Sequence, residues 1–330
     1  MGSKRILVTG GGGFIGSHLA RYLYNKGHFV RIADIKFDDY IKEKYYSERF
    51  KVDLRILENC LKVTEGIDEV YHLAANMGGI GFITGSTEKT ATADIPHDNA
   101  LMNIYMLEAA VKNNVKKFFF SSSACVYPNY KQNSPDVKGL KESDVLPADP
   151  NESYGWEKLF MEILMEEYKK CYGLNIRIAR YHNIYGPEGT YKGGREKAPA
   201  AICRKVAEAS DPGEITIWGD GTATRSFCYI DDCVEATVKL MESNYDKPVN
   251  IGSDRLISIK ELAQLIIKIS GKKIKINYDL SKPVGVKGRN ADLTLAKKVL
   301  GWEPRVSLEE GLKRTYEWIK EQVEKERAYG

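Results

Sequence analysis

Arg5-Ile6-Leu7-Val8-Thr9-Gly10-Gly11-Gly12-Gly13-Phe14-Ile15-Gly16 carries a β-branched, apolar run straight into four glycines. Residues 5–9 read as a short strand. Gly10, Gly13 and Gly16 then give G-x-x-G-x-x-G at the opening of a helix, expected over 18–26 and stopped by Gly27. In such a turn the missing side chains let the backbone approach a pyrophosphate at the positive end of a helix, and the last glycine allows close helix–sheet packing. Gly10, Gly13, Phe14, Ile15 and Gly16 are therefore candidate contacts to a dinucleotide. A glycine-rich turn is a weak signal alone; a strand before it and a helix after it strengthen it.

Working outward, a second strand over 29–34 ends in Asp34, 18 residues past Gly16. A carboxylate there accepts hydrogen bonds from ribose hydroxyls and repels the extra phosphate of NADP, so the expected cofactor is NAD. Asp53 and Leu54 follow the third strand and are placed to touch the adenine. A fourth strand over 69–75 leads into a second glycine-rich loop, 76–82, where Gly78 fits a backbone passing close to a ligand. The polar segment 84–98 reads as a lid over the cleft or as an inert surface loop. A helix over 99–114 is marked by Leu101, Ile104, Leu107 and Val111.

The fifth strand, 117–120, delivers Ser121 to Cys125 to the carboxyl edge of the sheet. Tyr154 and Lys158 lie at i and i+4 on one helical face, with Asn151 as the expected cap. A serine hydroxyl, a tyrosine and a lysine one turn later can lift a proton from an alcohol while a nicotinamide takes the hydride. Alternating strands and helices from 5 to 180 argue for an α/β fold, a Rossmann-like doubly wound parallel sheet with its cleft at the carboxyl edge.

Past residue 180 the pattern changes. The segment 191–199 is basic and glycine-rich and suits an anion, and a helix is expected over 200–209. Strands are expected at 215–221, 225–232 and 248–252, helices at 258–270 and 307–327, and a second basic turn at 287–290. The division that follows is a cofactor domain over 1–180, with 222–254 returning to it, and a smaller α/β substrate domain over most of 181–330.

Composition excludes several classes. The 49 Lys and Arg are interleaved with 45 Asp and Glu, so the net charge of +4 leaves no basic block for a nucleic acid. No apolar run reaches the ~18 residues of a membrane span. The six cysteines have no C-x-x-C spacing, which argues for free thiols in a cytoplasmic protein, and no histidine pair has metal-ligand spacing.

With the G-x-x-G-x-x-G turn, the serine run 121–123 and Tyr154-x-x-x-Lys158 in that order, the chain resembles the extended short-chain dehydrogenase/reductase family of nucleotide-sugar enzymes. The likeness implies a triad: Tyr154 as base, Lys158 lowering its pKa, and Ser123 aligning a sugar hydroxyl. Five segments are similar to the branch that epimerises GDP-mannose at carbons 3 and 5: 75–79, 122–125, 181–187, 193–201 and 288–290. That likeness implies Cys125 and Lys197 as an acid/base pair and Arg289 on the diphosphate. It also implies Gly78, Ser123, Asn183, Glu196, Lys197, Ala198, Lys205 and Arg225 at the substrate, and a homodimer built on the helices 99–114 and 151–172. Ala223 departs from that pattern, where a polar residue is expected.

The implied reaction is epimerisation of a GDP-hexose, of the GDP-mannose to GDP-L-galactose type, by transient oxidation of carbon 4. A UDP-sugar 4-epimerase or a GDP-sugar 4,6-dehydratase of the same family is the alternative reading. A catalytically silent dinucleotide sensor is a third, disfavoured because the tyrosine and lysine are both kept.

Overall fold

The computed structural model describes residues 2–38, 40–86 and 92–329. Seven parallel strands form its central sheet. The first half of the chain supplies β1 (Arg5–Thr9), α1 (Phe14–Asn25), β2 (Phe29–Asp34), β3 (Glu48–Lys51), α2 (Leu57–Thr64), β4 (Glu69–His72), a single turn α3 (Ile80–Ile83), α4 (Asp94–Lys112), β5 (Lys117–Ser123), α5 (Ser153–Tyr172) and β6 (Ile176–Tyr181). The second half supplies β7 (Ile184–Tyr185), α6 (Ala198–Glu208), β8 (Gly213–Trp218), β9 (Thr224–Ser226), β10 (Cys228–Tyr229), α7 (Ile230–Glu242), β11 (Val249–Ile251), β12 (Leu256–Ser258), α8 (Ile259–Ser270), β13 (Ile274–Asp279), β14 (Gly288–Arg289), α9 (Thr294–Leu300) and α10 (Leu308–Tyr329).

The sheet order is β11-β6-β5-β4-β1-β2-β3. The direction of winding reverses between β1 and β4, which opens a crevice at the carboxyl ends of those strands. Successive residues of β1 bury toward opposite layers. Ile6 and Val8 pack with Leu19 and Leu23 of α1 and Val234 and Val238 of α7. Leu7 packs with Val63 of α2, Leu107 of α4 and Met161 of α5. A sheet covered on both faces needs apolar residues on both, which is why its strands read as unbroken apolar runs.

The second half also forms three small sheets, β12-β9-β14, β13-β8 and β10-β7, with α6, α8 and α10. β11 returns from late in the chain to pair with β6 in the main sheet, Val249 opposite Ala179.

Several elements differ from the sequence expectation. α1 begins at Phe14, because the glycine turn is itself the helix start and Gly13 is the N-cap. α4 begins at Asp94, so the end of the 84–98 segment is helical; residues 87–91 of that segment lie outside the described residues. Asn151 does not cap α5: the N-cap is Glu152, and the Asn151 amide donates to the Glu152 carboxylate. The run 225–232 is not one strand. It breaks into β9 and β10 and then enters α7, whose first turn holds Asp231 and Asp232 where acids favour a helix start.

Candidate active site

The loops at the carboxyl ends of β4, β5 and β6 meet α6 and the small sheets around one cavity of about 380 Å³. Its lining includes Gly78, Ser123, Cys125, Tyr154, Asn183, Glu196, Lys197, Ala198, Lys205, Arg225 and Arg289, so every residue expected at the substrate shares one space. Sequence reading missed the lip formed by Pro283, Val284, Gly285 and Val286, and the wall formed by Ile217 and Trp218. Neither carries a motif; the one outward sign is an apolar Val284 left exposed at 40%.

Ser123 ends β5 and its Oγ accepts from the Cys125 backbone N–H at 3.2 Å, which turns the chain so that Cys125 faces the cavity. α5 brings Tyr154 to the same wall. Gly155 permits this, because a Cβ there would collide with the Cys125 carbonyl oxygen. Lys158, one turn on, is 1% exposed, and its Nζ lies 4.5 Å over the Phe120 ring and 5.7 Å from the Tyr154 ring.

Lys197 arrives as the N-cap of α6 from the basic loop. That loop is held against the glycine-rich loop 76–82: the Gly79 N–H donates to the Arg195 carbonyl at 3.0 Å, and a Cβ on Gly79 would sit 2.5 Å from the Glu196 carbonyl oxygen. Arg195 lies 3.9 Å over the Phe82 ring and bonds the Asn76 amide at 3.2 Å. Lys205 is tied to the Thr216 carbonyl at 2.6 Å. Arg225 donates to the carbonyls of Val284 and Val286, which anchors the lip. Arg289 faces Cys125: its NH1 approaches Sγ at 3.3 Å while Nε bonds Gln132 Oε1 at 2.6 Å.

Burial alone would raise the Cys125 thiol, but Arg289, the hydrogen bond with Ser123 and Lys197 outweigh it and hold the thiol below its ordinary value. Burial pushes the Lys197 ammonium down, with Arg289 adding to the effect and Cys125 opposing it. Thiol and amine thus both move toward neutrality. Burial drives the Tyr154 phenol well above its usual range, with Cys125 and Glu157 adding to that, and drives the Lys158 ammonium down, so the lowering of the phenol expected from Lys158 does not appear among these side chains, where burial outweighs it.

The residues present fit a dinucleotide. Gly10 has φ +67°, and a Cβ on Gly16 would collide with the Gly10 carbonyl, so both ends of the turn demand glycine. Asp34 accepts the Gly12 N–H at 3.0 Å and the Lys36 N–H at 3.2 Å at the end of β2, beside the turn. Lys158 Nζ is buried with no hydrogen-bond partner among the described residues, a cation whose donors await an acceptor. Asp53 is engaged by Arg55 at 2.7 Å, which also reaches Asp98 at 3.0 Å, and Leu54 packs into the core. His72 and His182 are fully buried and hydrogen-bonded to Asn103 and Asn250, which makes both structural. No group of three or more metal-ligating side chains occurs among the described residues, and no described helix is long and apolar enough to cross a membrane.

The sequence profile of the NAD dependent epimerase/dehydratase family matches residues 6–252. The chain is 50% identical over 327 residues to GDP-mannose 3,5-epimerase of Arabidopsis thaliana, covering 99% of this chain and 85% of that one. Among solved structures it is similar to UDP-glucose 4-epimerase from Thermotoga maritima with UDP-glucose, at TM-score 0.86 and 30% identity over 97% of this chain and 99% of that one. It is also similar to UDP-glucuronic acid 4-epimerase from Bacillus cereus in complex with UDP-glucuronic acid and NAD, at TM-score 0.81 and 30% identity, covering 96% and 99% of the two chains.

Proposed function

The chain belongs to the NAD dependent epimerase/dehydratase family, and from that premise we propose that it epimerises a GDP-hexose at carbons 3 and 5, in the manner of GDP-mannose to GDP-L-galactose. It is an NAD-dependent nucleotide-sugar enzyme of this family. The observation that carries the finer reading is the meeting of Cys125 and Lys197 in one cavity with Ser123 and Tyr154. A carbon-4 epimerase needs the triad and the cofactor alone. Inverting carbons 3 and 5 needs two more groups, one to remove each proton and one to supply its replacement from the opposite face.

Gly10, Gly13, Phe14, Ile15, Gly16, Asp34, Tyr154 and Lys158 would hold NAD, with Asp53 and Leu54 on its adenine side. Bound NAD supplies a reversible two-electron acceptor for carbon 4, which makes the hydrogens on carbons 3 and 5 acidic. Ser123 orients the carbon-4 hydroxyl, and Tyr154, with Lys158 behind it, takes and returns that hydroxyl's proton. Cys125 and Lys197 exchange the protons at carbons 5 and 3. Both are shifted downward, toward neutrality, which supports the assignment, since an acid/base pair works best with pKa values near the working pH. Arg289, Arg225 and Lys205 supply positive charge for the diphosphate, and Gly78, Asn183, Glu196 and Ala198 complete the cavity.

Residues 1–180 with 222–254 serve as the cofactor half and most of 181–330 as the substrate half. A homodimer through α4 and α5 is supported by Trp156, Phe160 and Ile163 on α5, which are 49%, 51% and 58% exposed at helical spacing. A cytoplasmic location fits six cysteines that are all free. Incubation with GDP-mannose in deuterated water tests the reaction: label is expected at carbons 3 and 5. Label absent from both, with carbon 4 inverted instead, would replace this reading with the 4-epimerase one.

A further inference from the structure

Gln132 lies in no motif, yet the Cys125 end of the cavity is assembled around it. It is 0% exposed, at the end of a short 3-10 turn over Asn129–Lys131. Its Nε2 donates to the Tyr127 carbonyl at 3.1 Å and the Pro128 carbonyl at 3.2 Å, both on the loop that carries Cys125. Its backbone carbonyl accepts the N–H groups of Lys287 at 3.1 Å and Gly288 at 3.2 Å, at the start of β14. Its Oε1 accepts Arg289 Nε at 2.6 Å, and the far side of that guanidinium reaches Cys125 Sγ at 3.3 Å. One buried side chain therefore fixes both partners of the sulfur–guanidinium contact.

We propose that Gln132 is a positioning residue of the reaction: by holding Arg289 Nε it aims the guanidinium at the Cys125 sulfur. The proposal rests on reading Cys125 as a proton-transfer group. It also revises the part expected of Arg289, which serves the thiol as well as the diphosphate. The other groups facing Cys125 are the Ser123 hydroxyl of β5, Lys197 at the start of α6, Arg225 of β9, and Tyr154 and Lys158 of α5. Of these charged groups, Arg289 makes the hydrogen bond to the sulfur. The residue types suit the task. A planar guanidinium donates along two edges at once, which an ammonium cannot do. A neutral amide accepts from Nε without neutralising the charge that the sulfur feels.

Iodoacetamide alkylation of Cys125 tests this in the purified full chain, followed peptide by peptide so that exposed Cys171 does not interfere. Thiolate is the reacting species, so the rate at pH 7 relative to pH 10 reports how strongly the protein favours it. Gln132→Met is expected to slow the reaction at pH 7 by roughly tenfold, the worth of one charge-assisted hydrogen bond, with the pH 10 rate unchanged. Gln132→Asn, which keeps the amide but withdraws it by one methylene, should do the same. Arg289→Lys should match them, and the Gln132→Met/Arg289→Lys double variant should be no slower than either single change. An unchanged rate at pH 7, equal slowing at both pH values, or multiplying effects in the double variant would overturn the proposal. The readout needs no sugar. Normal alkylation behaviour with no deuterium exchange in GDP-mannose would instead count against the GDP-hexose reading.

Discussion

Glu162→Leu should cost the protein far more than its single hydrogen-bonded pair suggests. Glu162 and Arg180 sit behind the serine run, 5% and 3% exposed, with Arg180 NH2 at 2.7 Å and Nε at 3.0 Å from the two carboxylate oxygens. Ser122 Oγ donates to the same carboxylate at 2.5 Å. Leucine leaves a buried guanidinium with two donors unanswered and Ser122 without its acceptor; removing one partner of such a pair costs about 3–5 kcal/mol. For 330 residues the unfolding entropy is about 0.7 kcal/mol/K, so the melting temperature should fall by about 4–7 °C. The comparison is Arg255–Glu309, bidentate at 2.5 Å for both bonds but 48% and 49% exposed. Glu309→Gln should cost under ~1 kcal/mol and shift melting by about 1 °C. Scanning calorimetry on both variants, and on Glu162→Leu with Arg180→Met, reads the outcome. Removing both buried partners should restore much of the loss. Equal shifts for the buried and exposed pairs, or no recovery in the double variant, would refute the reasoning that burial sets the worth of these contacts.

Gly79→Ala should push the Lys197 loop away, because the new Cβ would meet the Glu196 carbonyl at 2.5 Å. NAD content should stay normal while deuterium exchange at carbons 3 and 5 falls by roughly 10²-fold, the lower range for a misplaced acid/base group; retained exchange would show that the two loops move independently. His18, His72 and His182 are buried neutral, with pKa values lowered by burial to about 4, 3 and 3. Below pH 6.5 the unfolded chain takes up protons that the folded chain refuses, so each histidine lowers stability by ~1.4 kcal/mol per pH unit down to its folded pKa and has no effect above 6.5. Urea unfolding at pH 6.5 and 5 should show His72→Gln losing less stability on acidification than the parent, and an equal loss would remove His72 from the account. Asp34→Ser should admit NADP, seen as a narrowed ratio of the two cofactors' dissociation constants; an unchanged ratio would mean that Asp34, already accepting from Gly12 and Lys36, does not do the discriminating.

The turn after β1 was legible because its constraints are local. A strand, a turn that only glycine can make and a helix sit between Arg5 and Asn25, and the burial of β1 on both faces repeats the apolar run read from the sequence. The pairing of Tyr154 with Lys158 was legible for the same reason, since i and i+4 on α5 fix them to one face. α7 was not, because its first turn continues a run of strand-forming residues, and the acids that start it were read as the strand's end. Gln132 was invisible for a different reason: its partners are two carbonyls beside it and an arginine 157 positions away, a pairing no periodicity records.

This difference follows the chemistry. Oxidising carbon 4 requires parts that a strand end and one helix can present together, so its residues are near in sequence. Proton exchange at carbons 3 and 5 requires groups on both faces of a sugar, and the groups proposed for it come from separate elements that wall the cavity: Cys125 from the β5 loop, with Arg289 of β14 against it, and Lys197 from the head of α6. What brings those walls together is backbone contact, Gly79 against Arg195 and Glu196 on one side and Gln132 against Gly288 on the other. A change at either seam should therefore injure proton exchange before it injures oxidation. A variant at Gly79 or Gln132 that lost carbon-4 oxidation first, measured as reduced cofactor formed on adding substrate, would break the link between the seams and the second half of the reaction.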